Sequence, residues 1–147
     1  MTRSLAVLLA AAAGIFVGLQ APVNSRLGKE IGSLQAATVS FTVGLLALIV
    51  VASLSSGGIS GVANAGKAPW WALIGGVLGA FYVTVALITV RTLGLSALTA
   101  IVVSGQLAIA VVVDRFGLLG ITKQHIGAPR IIGLVLLLVG VVLVVRR

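Results

Sequence analysis

The sequence predicts an all-α integral membrane protein with five transmembrane helices, paired as an antiparallel (dual-topology) homodimer of ten helices. Three observations carry that reading. Of the 147 residues, 60% are hydrophobic and 8% charged, whereas soluble domains carry about 25% charged residues; this chain cannot furnish a water-facing surface. Its apolar residues, at a mean hydropathy of +1.29, gather into runs long enough to cross a bilayer core about 30 Å thick. The ten Lys and Arg sit singly or in pairs at the ends of those runs. The net charge of +8 therefore reads as topology signals, not as a nucleic-acid surface. We expect one transmembrane domain, residues 1–147, with spans near 4–24, 33–54, 70–90, 95–113 and 126–145. Its setting is the lipid bilayer of the inner (plasma) membrane, crossed several times.

The first span carries the most information. It starts after Arg3, places Gly14 and Gly18 one turn apart, then meets Gln20, Pro22 and Asn24 before the crossing is complete. Small residues at Ala10 to Gly14 also fit the cleavage region of a signal peptide, but cleavage leaves the glycine pair and the polar end unexplained. Gln20 and Asn24 share one helix face and Gly14 and Gly18 another, so one face can pack while the other lines a cavity. Lipid satisfies no backbone groups, and a proline-broken polar end should be buried or water-lined. A short charged turn with Arg26, Lys29 and Glu30, bracketed by Gly28 and Gly32, is expected next.

In the second span Gln35, Thr38 and Thr42 form a polar stripe, although threonines in spans also bond their own i−4 carbonyls. Ser55–Pro69 reads as a flexible loop rich in Gly, Ser and Asn. Trp70 and Trp71 follow where an interfacial aromatic belt is expected. The third span sets Gly75, Gly79, Tyr82 and Thr89 in one sector, with Tyr82 near the midplane. After a tight turn at Arg91 to Gly94, the fourth span aligns Ser96, Thr99 and Gln106. A midplane carboxamide is expensive unless paired, so Gln106 either lines a pathway or joins helices. Asp114 reads as a terminal ion pair with Arg115 or a cap, and His125 as interfacial. The fifth span, with Pro129 and Arg130 at its start and Gly133 and Gly140 seven apart, reads as a packing or dimer helix capped by Arg146 and Arg147.

The absent chemistry narrows the function. His125, Glu30 and Asp114 are the whole imidazole and acid inventory, and there is no cysteine. No nucleophile–base–acid set, phosphate loop or metal-ligand spacing occurs. We expect no enzyme, no cofactor and no metal. No acid lies mid-span to attract a cation or relay a proton, while Arg26 and Lys29 flank the mouth of the first span. A neutral, zwitterionic or anionic small-molecule substrate follows.

Three stretches carry a resemblance: GLQAPVNSRLGKEIGS, GGVLGAFYV and SGQLAIAVVVDRFGLLG. They resemble the YdcZ-like family of the drug/metabolite transporter superfamily. The resemblance implies a five-helix half-transporter with paired and fused relatives, and Gln20, Pro22, Asn24 and Gln106 as pathway-lining positions. Arg115 follows Asp114 where the family's pattern places His, which argues against a titrating role there. With Arg26, Gln35, Thr38, Tyr82 and Thr99 these are the pathway candidates, and Gly14, Gly18, Gly75, Gly79, Gly133 and Gly140 are the packing or dimer candidates. The expected function is secondary transport by alternating access at a dimer interface; the rival is a non-transporting assembly or structural subunit. A passive channel is weaker, because no charged ring is present.

The dimer follows from counting charges. Five spans put the termini on opposite sides. Arg3, Lys67, Arg115, Lys123 and Arg130 fall on one side, and Arg26, Lys29, Arg91, Arg146 and Arg147 on the other. Orientation follows the Lys/Arg bias, and five against five supplies none.

Overall fold

The computed structural model describes residues 1–55 and 58–146. Arg147 and part of the Ser55–Pro69 loop lie outside them. Among the described residues five helices are long and apolar enough to cross a membrane: α1 (Arg3–Ile31), α2 (Ser33–Leu54), α3 (Gly75–Leu93), α4 (Leu95–Phe116) and α5 (Ala128–Val145). A 3-10 turn over Trp70–Ile74 leads into α3, and another 3-10 segment spans Ile59–Lys67 where the composition suggested a flexible loop. The all-helical architecture is that of an integral membrane protein.

α1 departs from expectation. It begins at Thr2, whose Oγ1 accepts the Leu5 N–H at 3.3 Å, and runs through Pro22 without a break to Ile31. The expected charged turn at Gly28–Gly32 is the last turn of that helix, and the connection to α2 is Gly32 alone. Magnitudes explain the difference. A proline inside a helix costs about 3 kcal/mol, but ending the helix at Asn24 would strand four carbonyls at several kcal/mol each in lipid. Arg26 and Glu30, paired at i, i+4, also support the extra turns.

Gly32 makes the hairpin possible. Its φ of 95° and ψ of 151° lie in a region essentially confined to glycine. A Cβ there would stand 2.4 Å from Gln35 Oε1. Gly32→Ala is expected to destabilise the protein by about 1–3 kcal/mol, read as a lowered denaturation midpoint in detergent; an unchanged midpoint would show that the hairpin tolerates another turn.

The chain forms two compact units, Met1–Arg91 and Thr92–Arg147. In the first, α1 and α2 pack along each other, and α3 joins through a core of Ala36, Ala37, Val83 and Leu87, flanked by Leu27 and Tyr82. Alanines at the contact let backbones approach, which is how helices associate where lipid removes the hydrophobic drive. In the second unit α4 and α5 pack together. Asp114 pairs with Arg130, not with its neighbour Arg115. Adjacent helical residues point about 100° apart, whereas the α4–α5 return brings Arg130, in the first turn of α5, to the end of α4. The Gln124 N–H also donates to the Asp114 carbonyl at 2.8 Å.

Candidate functional site

The α1–α2 hairpin sets its polar residues by depth. Asn24 lies seven residues before Ile31 and Ser40 seven after Ser33, so each stands about 10 Å from the turn. They meet there: Asn24 Nδ2 donates to Ser40 Oγ at 3.0 Å, and Asn24 is buried. One turn deeper, Gln20 lies about 16 Å along α1 from its end, and Tyr82 is equally far from the end of α3. Gln20, Ala21 and Asn24 close against Tyr82, Val83, Ala86 and Leu87 in a seam with no room for a water molecule.

On its other side Gln20 faces a groove of ≈300 Å³ between α1 and α2, lined also by Ser40, Phe41, Gly44, Leu45 and Leu48. That volume is at the lower end of small-ligand sites. The surroundings are apolar, and the polar groups are the Gln20 carboxamide and the Ser40 hydroxyl. The first unit thus brings together Gln20, Asn24 and Tyr82 from the sequence-derived set. Ser40 was missed there, although its distance from Gly32 matches that of Asn24 and a tight hairpin sets such pairs opposite. Pro22 contributes through what it lacks: with no N–H it leaves the Gly18 carbonyl without its helical donor.

Thr38 and Thr42 behave as ordinary span threonines, donating to the Leu34 and Thr38 carbonyls at 3.0 and 2.9 Å. With Phe41 they line a separate, larger groove of ≈470 Å³ against Ala80 and Thr84 of α3. Gln35 stands beside the Gly32 turn, outside these grooves. In the second unit Thr99 and Gln106 are exposed on α4, with Gln106 at the middle of that helix. Among the described residues, Gln20, Tyr82 and Gln106 make no side-chain hydrogen bond. Of the glycine candidates, a Cβ at Gly79 would meet the Phe41 ring at 3.4 Å, while Gly14, Gly18, Gly75, Gly133 and Gly140 have open space at their Cβ positions.

Near the end of α1 a further cluster appears. Arg91 of α3 reaches across to Ser25, its Nε donating to the hydroxyl at 3.3 Å and Nη2 to the carbonyl at 3.2 Å. Arg26, Lys29 and Arg91 line one pocket there. Arg91 was absent from the sequence-derived candidates, because a basic residue at a span end normally signals only topology.

A family profile described as "Putative inner membrane exporter, YdcZ" matches residues 5–143. The Escherichia coli (strain K12) protein named "Inner membrane protein YdcZ" is 28% identical over 148 residues, covering 100% of this chain and 99% of that protein. No solved structure matches the chain.

Proposed function

We propose, from the premise that this chain belongs to the YdcZ family of the drug/metabolite transporter superfamily, that it is a secondary transporter. In this reading it moves a small neutral or anionic molecule by alternating access at the interface of an antiparallel homodimer. The multi-pass inner-membrane setting follows from the family and the five apolar helices. The outward direction rests on the family's description as an exporter.

One observation carries the proposal: Gln20, Tyr82 and Gln106 lie at mid-depth in apolar helices and have no hydrogen-bond partner among the described residues. An unpaired amide in an apolar medium costs roughly 2–7 kcal/mol. Helices do not keep such groups for packing. Their partners are then a substrate, water in a pathway, or the second subunit. Two antiparallel copies would also supply the inverted repeat on which alternating access is usually built, with open glycine faces in contact.

The test begins with a ligand-stabilisation screen on purified protein, followed by flux of the stabilising compounds in reconstituted vesicles. Gln106→Ala is expected to leave expression and denaturation midpoint unchanged while lowering flux about tenfold, the effect of losing one hydrogen bond of roughly 1.4 kcal/mol in the transport cycle. If the variant instead unfolds and its folded fraction transports normally, Gln106 is a helix-joining residue. If no compound is carried above the rate of empty vesicles, the protein is the non-transporting assembly subunit.

A further inference from the structure

The basic pocket has more to say than topology. Pro22, Ser25, Arg26 and Lys29 of α1 and Val90 and Arg91 of α3 line an open groove of ≈470 Å³, one turn nearer the membrane surface than the Gln20–Tyr82 seam on the same two helices. Three cations share this space. Glu30 takes one Arg26 nitrogen, which leaves the group at a net charge of +2. Lys29 has no partner among the described residues, and neither has Arg91 Nη1.

The ordinary explanation is that cations at helix C-termini complement the dipole and anchor the span. It accounts for Lys29 but not for Arg91. Arg91 reaches across to α1 and is clamped by Ser25, so its guanidinium, although exposed, is held at the pocket instead of ranging freely. All three cations are exposed, so water and salt screen their mutual repulsion, and an anion seated among them would gain from all three at once. Arg91 Nη1, the Arg26 nitrogens that Glu30 leaves free and the Lys29 ammonium match an anion with several acceptor oxygens. Lys29 and Arg91 stand in the last turns of α1 and α3, the depth at which headgroup phosphates lie, and basic pockets between transmembrane helices recognise such groups.

We propose that this pocket binds an anionic phosphate group, carried by a lipid headgroup or by a free phosphate. The site stands independently of the transport reading, because it is defined by equilibrium binding. The full-length protein, stripped of lipid in a neutral detergent, is titrated with inorganic phosphate against chloride at matched ionic strength, following its denaturation midpoint. In parallel, retention of phosphatidylglycerol is compared with that of phosphatidylcholine, whose choline brings its own cation, by native mass spectrometry. Both ligands should bind the wild type. Lys29→Gln and Arg26→Gln, neither of which touches the Arg91–Ser25 clamp, should each weaken binding about fivefold. A response to inorganic phosphate alone identifies a soluble ligand, and a response to phosphatidylglycerol alone identifies a headgroup; either supports the site. The proposal fails if neither ligand exceeds its control, or if both variants bind at wild-type strength.

Discussion

Asn24→Leu is expected to lower flux at least about tenfold per folded molecule, while Ser40→Ala keeps it within about twofold. The two substitutions break the same bond, Asn24 Nδ2 to Ser40 Oγ. Interhelical hydrogen bonds in membranes are worth about 0.6 kcal/mol on average and about 1.7 at most. Ser40→Ala should lower the denaturation midpoint more than Asn24→Leu, because it leaves the buried Asn24 carboxamide unpaired, whereas Asn24→Leu frees a serine hydroxyl that can turn to its own i−4 carbonyl. They differ in what remains. Ser40→Ala leaves a carboxamide beside Gln20 and Tyr82, whereas leucine removes the donor and acceptor and makes that stretch of α1 wholly apolar. Flux measured in vesicles at equal amounts of folded protein separates the roles. Equal losses for the two variants would make Asn24 a helix-joining residue and remove it from the pathway.

The five helices were legible because lipid imposes a length and forbids charge, and Leu5–Leu19 or Ile131–Val145 can satisfy that in few other ways. The end of α1 was not. Pro22 and the charges after it look like a terminus by local rules, and the number of carbonyls stranded by stopping there is the main term that favours continuation to Ile31. Pairings across a turn were half legible. Gln20, Asn24 and Tyr82 could be grouped by depth, but finding Ser40 needed the hairpin to turn on Gly32 alone. Asp114 was paired with the wrong arginine because Arg130 lies sixteen positions away, and only the return of α5 along α4 brings it close. Arg91 escaped for a similar reason: its role depends on Ser25, which no spacing along the chain connects to it.

The larger effect concerns orientation in the membrane. On the antiparallel-dimer reading, a cytoplasm-only reporter and a periplasm-only reporter, each fused separately to the C-terminus, are both expected to give signal. The reason is the five-against-five division of Lys and Arg between sides. Arg130 is the position that could have upset the count. It lies in the first turn of α5, paired with Asp114 at the end of α4, so it belongs to the boundary and not to the middle of a span. The pairing does not cancel it, since acidic residues contribute little to orientation. Replacing Lys67 and Lys123 by glutamine leaves three charges against five. The five-charge side, which carries the C-terminus, should then be retained in the cytoplasm, and the periplasmic reporter should fall silent. If the working unit needs both orientations, that variant should also lose flux, and co-expression with a counterpart lacking Arg26 and Lys29 should restore it. Signal from one reporter alone in the unmodified protein, with no cross-link between opposite-facing copies, would sink the antiparallel homodimer.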